Sequence, residues 1–156
     1  MGMRILVAED SPSFALLYKN ALEKRGHTVL IAKDGNDCIY KYMDSIPGDG
    51  QIKTEKLYDL VILDHQMPRM QGTDVAKEIL KLNPKQRILF VTEYVEEVMK
   101  GIKELGKKIE LLQKPFPTLA MIRQVEGLRT FRWLQRIHGR GGLQEWDGEK
   151  GLSEPV

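Results

Sequence analysis

Residues 60–64 read Leu-Val-Ile-Leu-Asp, a short apolar run that ends in a carboxylate. An aliphatic run without alternating polar residues is typical of a strand that is covered on both faces of a parallel sheet. Open sheets of this kind bind their ligands beyond the carboxyl ends of the strands. We therefore expect Asp64 to lie at the edge of the sheet where functional groups gather.

Similar apolar runs recur along the chain, and segments with helical spacing separate them. The predicted strands are residues 4–8, 27–32, 58–63, 87–91 and 108–112. The predicted helical stripes are Phe14, Leu17, Ala21 and Leu22, then Val75, Ile79 and Leu82, then Val95, Val98, Met99, Ile102 and Leu105. Five β–α units in series predict an α/β fold, with a doubly wound parallel sheet and helices on both faces.

Glycine, proline and capping residues indicate where the predicted helices begin and end. Gly26, Asn83-Pro84 and Gly106 are predicted to end the first, third and fourth helices. Asp34, and either Thr73 or Asp74, are predicted helix starts. The connection at residues 45–56 contains Pro47, Gly48 and Gly50 and is longer than most loops of its kind, so we interpret it as a surface insertion.

Composition excludes several classes of protein. The chain has 156 residues, 42% of them hydrophobic and 29% charged, with a formal net charge of +2. This balance does not demand a nucleic-acid or membrane partner, and no apolar run approaches the roughly 20 residues that a membrane span needs. The single cysteine, Cys38, cannot form an intramolecular disulfide and suits a reducing compartment. We therefore expect a cytoplasmic protein.

Charged residues follow three of the predicted strands. Glu9-Asp10 come after the first strand, Asp64 after the third and Lys114 after the fifth. If these strands are adjacent, the sheet edge carries an oxygen-rich pocket with one balancing cation. Such a pocket suits Mg²⁺ and a phosphoryl group.

Local motifs strengthen this reading. Residues 63–72 read Leu-Asp-His-Gln-Met-Pro-Arg-Met-Gln-Gly, Thr92 follows the fourth strand, and Lys114 begins a Lys-Pro-Phe motif. In this order, these elements resemble the receiver domain of two-component response regulators over about residues 3–127. The resemblance implies a flavodoxin-like (βα)5 fold and a single-domain response regulator that is a signalling switch and not an enzyme in the metabolic sense.

The resemblance also implies a role for each residue of the pocket. Asp64 is the phosphoacceptor, a nucleophile that forms an acyl phosphate. Lys114 and Thr92 contact the phosphoryl group. The implied Mg²⁺ ligands are Asp10, Asp64, the backbone carbonyl of Gln66 and, through a water, Glu9.

Three positions depart from the family's common pattern. Leu111 stands where the family often has an aromatic residue that moves with the threonine, and Tyr94 is a candidate substitute for it. Glu93 replaces a small residue after Thr92. Gln66 lies where side chains influence attack by water, so the lifetime of the phosphate stays open.

The residues after Gly127 form a separate segment, so we divide the chain into a receiver domain at 1–127 and an extension at 128–156. A predicted second amphipathic helix carries arginines on one side and apolar residues on the other: Arg129, Arg132, Arg136 and Arg140 against Thr130, Trp133, Leu134 and Ile137. Three roles are open for this helix: docking on its own domain, binding to a protein or second copy, and binding to nucleic acid. The final residues read as a polar tail.

These observations favour a phosphorylation-controlled binding module. Its expected partners are a histidine kinase or phosphotransfer protein and a downstream protein target, with a homodimer left open. Nucleic acid is the least favoured partner, and we expect no membrane. One alternative is a transcriptional regulator that uses its basic tail. Another is an aspartate-nucleophile phosphatase, which Gln66 disfavours because haloacid dehalogenase-type enzymes carry a second Asp at that position.

Overall fold

The computed structural model describes residues 2–48, 57–105 and 109–127, and the backbone of residues 143–146. Five parallel strands form the sheet: β1 Arg4–Ala8, β2 Thr28–Ala32, β3 Leu60–Leu63, β4 Ile88–Thr92 and β5 Ile109–Gln113. They lie in the order β2-β1-β3-β4-β5. The predicted doubly wound parallel sheet is confirmed, and each strand begins and ends within two residues of its predicted bounds.

Five α-helices connect the strands: α1 Pro12–Glu23, α2 Gly35–Ser45, α3 Gly72–Leu82, α4 Val95–Ile102 and α5 Thr118–Glu126, with a 3-10 turn at Lys103–Leu105 after α4. Asp34 caps α2 as predicted, because its side chain accepts a hydrogen bond from the Asp37 N–H. Helix α3 begins at Gly72 and not at Thr73 or Asp74. None of the helices in these described segments is long and apolar enough to cross a membrane.

Two apolar layers hold the helices on the sheet. One layer packs α2, α3 and α4 against one face, and it includes Tyr42, Ile79, Phe90 and Ile102. The other packs α1 and α5 against the opposite face, and it includes Tyr18, Leu22 and Met121. Alternate residues of each strand enter opposite layers, which explains why the strands show no polar alternation.

Part of the predicted helical stripe of α1 is wrong. Phe14 and Leu17 are 44% and 47% exposed, whereas Ala15, Tyr18 and Leu22 are buried. Residues 14–18 are all apolar or aromatic, so helical spacing allows two stripes that are offset by one residue. Packing of Tyr18 into the layer beneath α1 decides between them. In α3, the predicted Leu82 is exposed and Leu80 is buried instead.

A sixth strand, β6 Leu143–Trp146, pairs antiparallel with β5 and extends the sheet at that edge. The sequence pattern does not predict this strand, because four residues with two polar members are too short to show a period. The rest of the extension, including the predicted helix with Arg129, Arg132, Arg136 and Arg140, lies outside the described residues. So do Gly106 and residues 49–56 of the long connection.

The C-terminal end of α5 is fixed to the turn between α1 and β2. Gly127 adopts a left-handed conformation with φ 67° and ends α5, close to the predicted break. The Glu126 carboxylate accepts hydrogen bonds of 2.8 Å from both Nε and a terminal nitrogen of Arg25. Nε2 of His27 lies 3.2 Å from the same carboxylate. The bonds from Arg25 lower the pKa of Glu126 to about 2.

This depressed pKa predicts an acid-sensitive link. The ionised Glu126 stabilises the fold above its ordinary pKa of 4.5, and the contribution is lost as the pH falls toward 2. We expect Glu126→Gln to lower the free energy of unfolding by about 1 kcal/mol at pH 7, since Arg25 is largely exposed, and by less at pH 3. Urea unfolding at both pH values measures this. Glu78→Gln, which removes an exposed charge paired with Lys81, is the control; equal losses at pH 7 and pH 3 for Glu126→Gln would contradict the assignment.

Candidate functional site

The order of the strands brings the predicted acidic residues together. Strands β1 and β3 are neighbours at the point where the strand order reverses, so Glu9-Asp10 and Asp64 end side by side. One carboxylate oxygen from each of Glu9, Asp10 and Asp64 lies within 4.8 Å of the other two. Glu9 and Asp64 are 3% and 8% exposed, and Asp10 is open to solvent. The three side chains form an acidic pocket at the edge of the sheet.

Lys114 supplies the balancing positive charge. Its Nζ lies 3.1 Å from Oε2 of Glu9 and 3.4 Å from Oδ2 of Asp64. The Lys114 backbone N–H donates to the carbonyl of Thr92 at 2.9 Å, which holds the end of β5 beside the end of β4. One cation therefore faces two buried carboxylates.

The charges in the pocket are incompletely neutralised. Burial raises the pKa of Asp64, and the nearby Lys114 ammonium opposes that rise. Burial, together with the negative charge of Asp64, also raises the pKa of Glu9. A further cation would relieve this repulsion. Carboxylate oxygens are the donors that Mg²⁺ prefers, so the residues present fit this ion.

The remaining predicted site residues lie around the pocket. Thr92 ends β4 and is fully buried, and its Oγ1 accepts a hydrogen bond of 3.0 Å from the Tyr94 N–H. Gln66 lies two residues beyond Asp64 with its side chain exposed. Leu111 is buried in the layer with α4, while Tyr94 is exposed. Thr92 thus lies next to Lys114 through the sheet, and Gln66 lies on the surface of the loop.

Sequence reasoning missed an aromatic column beside the pocket. The Phe14 ring lies 4.7 Å from Nζ of Lys114, a distance typical of a cation–π contact. Phe14 stacks on Tyr18 and Tyr18 stacks on Phe116, with ring centroids 6.1 and 6.0 Å apart. The column ties α1 to the Lys-Pro-Phe turn and gives the exposed Phe14 ring a role. Its signal in the sequence is the spacing of four residues between Phe14 and Tyr18 directly after the acidic pair.

The sequence did not predict the buried position of His65 beside Asp64. Its backbone N–H donates a hydrogen bond of 2.7 Å to Oδ1 of Asp64, and its side chain is buried. No sequence pattern indicates that the ring after Asp64 enters the interior, because residue 65 lies in a loop without periodicity.

The loop that carries Asp64 is closed by Gly72. The Gly72 N–H donates to the His65 carbonyl at 2.8 Å. A Cβ at Gly72 would lie only 2.2 Å from the backbone oxygen of Asp64, which no side-chain rotation can relieve. Glycine is therefore required here by the close approach of the two backbones.

We expect Gly72→Ala to lower the free energy of unfolding by about 1–3 kcal/mol, because the loop must shift to admit the methyl group. Thermal or urea unfolding measures this. Gly48→Ala is the matched control, since nothing lies within 4 Å of a Cβ there. Equal stability of the two variants would show that the loop is not closed as described.

Comparison with known proteins agrees with this geometry. A family model described as response regulator receiver domain matches residues 5–126. The chain belongs to this family. Receiver domains are signalling switches of two-component systems that typically bind Mg²⁺ at an acidic pocket, and here that pocket is formed by Glu9, Asp10 and Asp64.

Individual receivers show the extent of the similarity. The chain is 29% identical over 119 residues to the chemotaxis protein CheY of Thermotoga maritima, covering 74% of this chain and 88% of that protein. It is 25% identical over 123 residues to the response regulator receiver protein CpdR of Brucella abortus, covering 79% and 93%. The crystal structure of response regulator protein TrrA from Thermotoga maritima, in complex with Mg²⁺-BeF, superposes with a TM-score of 0.63 at 28% identity and covers 82% of this chain and 99% of that one.

Proposed function

We propose that this receiver is a phosphorylation-dependent switch in which Asp64 accepts a phosphoryl group from a histidine kinase or phosphotransfer protein. The observation that carries the proposal is the pocket itself. Asp64 is almost fully buried, Lys114 Nζ lies 3.4 Å from its Oδ2, and the carboxylates of Glu9 and Asp10 lie within 4.8 Å. We assign this activity to residues 1–127, with residues 128–156 as an extension.

The chemistry follows from the side chains. A carboxylate oxygen of Asp64 forms a bond to phosphorus while the bond from phosphorus to the donor's imidazole nitrogen breaks, and that nitrogen keeps the electron pair. Lys114 faces the same carboxylate and offers positive charge to the phosphoryl oxygens. The Thr92 hydroxyl accepts from Tyr94 N–H and keeps its own proton free to donate to a phosphoryl oxygen.

The acidic pocket would hold Mg²⁺ for this reaction. Asp10, Asp64 and the backbone carbonyl of Gln66 are the proposed direct ligands, and Glu9 acts through a water. When bound, the ion neutralises negative charge on the transferring group. The raised pKa values of Glu9 and Asp64 support this assignment, because burial disfavours the charged form of both carboxyls and a bound cation would offset that cost.

Phosphorylation would then change the affinity for a downstream protein target or for a second copy of the chain. The surface of α4 supports this part of the proposal, since the helix begins three residues after Thr92, at Val95, and is acidic in its first turn. We also propose a cytoplasmic location, because the single thiol, Cys38, is buried and unpaired.

The direct test is incorporation of labelled phosphate from acetyl phosphate. We expect one phosphate per chain with Mg²⁺ and little incorporation when the metal is chelated. The bond should be cleaved by hydroxylamine, as expected of an acyl phosphate and not of a phosphoserine. Stable incorporation that resists hydroxylamine would contradict the proposal.

A further inference from the structure

His65 joins the phosphoacceptor to helix α4. Its backbone N–H donates to Oδ1 of Asp64 at 2.7 Å. At the other end of the residue, Nε2 of the ring lies 3.3 Å from Oε2 of Glu97, in the first turn of α4. A single residue therefore contacts both the reacting carboxylate and a helix on the surface.

The environment of the imidazole is unusual for a residue that serves packing alone. His65 is 3% exposed, and its Nδ1 is buried without a hydrogen-bond partner among the described residues. A buried unsatisfied nitrogen costs stability that an apolar side chain in the same space would not. The polar ring is thus explained by its contact with Glu97 and not by the core around it.

Helix α4 is held differently along its length. Its later turns are anchored, because Val98 and Ile102 are buried and Gly101 lies so close to α3 that a Cβ there would be 2.7 Å from Cγ2 of Thr73. Glu97, in contrast, is 56% exposed and contacts His65. The start of α4 is therefore positioned by this polar contact together with the partly buried Val95, while the end of the helix is fixed by fully buried side chains.

We propose that His65 is a positioning residue that couples the state of Asp64 to helix α4 through Glu97. This rests on the proposed phosphorylation of Asp64. A phosphoryl group on Asp64 withdraws negative charge from the oxygen that accepts the His65 N–H, and a hydrogen bond to a charged acceptor is about twice as strong as a neutral one. The bond weakens, the His65 backbone shifts, and the ring carries that shift to Glu97 and the first turn of α4.

The experiment measures backbone hydrogen exchange in α4, with and without beryllofluoride and Mg²⁺ as the phosphate mimic. Binding of the mimic is followed separately by its fluorine resonances. In the wild type we expect the mimic to change the exchange rates of α4. In His65→Leu and in Glu97→Ala that change should shrink by at least about fivefold, although the mimic still binds.

Two further variants separate coupling from general effects on structure. Glu97→Gln keeps an oxygen that can accept from Nε2 and should retain the response of α4. Glu96→Ala removes a neighbouring acidic side chain and should behave as wild type. Since Glu97 is exposed, its variants fold even if His65→Leu does not.

The outcomes distinguish this proposal from the one on which it rests. If the mimic binds and α4 responds equally in the wild type and Glu97→Ala, the coupling role of His65 is wrong and the phosphorylation site stands. The same conclusion follows if the mimic binds the wild type but α4 does not respond. If the mimic does not bind the wild type at all, the proposed function fails and the coupling fails with it.

Discussion

Asp64→Asn is expected to abolish phosphorylation by acetyl phosphate, reducing incorporated label by at least about 100-fold, and to make the protein more stable. The first effect follows because an amide is a poor nucleophile and removes one carboxylate from the pocket. The second follows from the raised pKa of Asp64: burial disfavours its charged form, so folding with an ionised Asp64 costs free energy near neutral pH. Asparagine has no charge to bury.

The sign of the stability effect can be checked with pH. The cost of the ionised carboxyl is present at neutral pH and disappears as the pH falls through the raised pKa toward the ordinary value of 3.8. The stability advantage of Asp64→Asn over wild type, measured by urea unfolding, should therefore shrink on acidification. Asp59→Asn is the matched control, because Asp59 directly precedes β3 and accepts a hydrogen bond from Arg4 far from the pocket. The Asp59→Asn variant should incorporate label like the wild type. If Asp64→Asn also incorporated as much label as the wild type, Asp64 would not be the phosphoacceptor.

The positions of Glu9, Asp10, Asp64 and Lys114 could be predicted from the sequence for one physical reason. Parallel strands end at a common edge, so residues that follow adjacent or nearby strands can be expected to meet there without any knowledge of side-chain conformation. The strands themselves are identifiable because burial on both faces requires continuous aliphatic runs. The approximate sheet and the acidic pocket therefore follow from local sequence alone.

Features that depend on the choice between competing packings could not be predicted in this way. Both faces of α1 carry apolar residues, so only the layer beneath Tyr18 decides that Phe14 points outward, over Lys114. The contact between His65 and Glu97 joins a loop to a helix across 32 residues of chain, and neither position belongs to a periodic pattern. Strand β6 depends on the free edge of β5, because its four residues have little strand signal of their own.

Lys114→Ala is expected to have the second large effect, since it removes the cation that faces both buried carboxylates. Glu9 and Asp64 would remain in the interior with their negative charges unopposed. Removing one partner of a buried ion pair typically costs about 3–5 kcal/mol. The pocket is open to solvent beside Asp10, so rearrangement of its side chains should reduce this cost to about 2–4 kcal/mol. Labelling by acetyl phosphate should fall about 100-fold, as on loss of a donor that stabilises a transition-state charge.

The response to Mg²⁺ separates the role of Lys114 from that of a metal ligand. Lysine and the ion neutralise the same oxygens, so Mg²⁺ should bind Lys114→Ala at least as tightly as wild type and should raise its unfolding temperature by more. Titration with Mg²⁺, followed by thermal unfolding, measures both quantities. Lys41→Ala is the control, because its partly exposed pair with Asp37, four residues apart on one helix at 2.7 Å, is worth less than about 1 kcal/mol. Loss of Mg²⁺ binding in Lys114→Ala would show that the lysine organises the acidic pocket and does not serve the phosphoryl group alone.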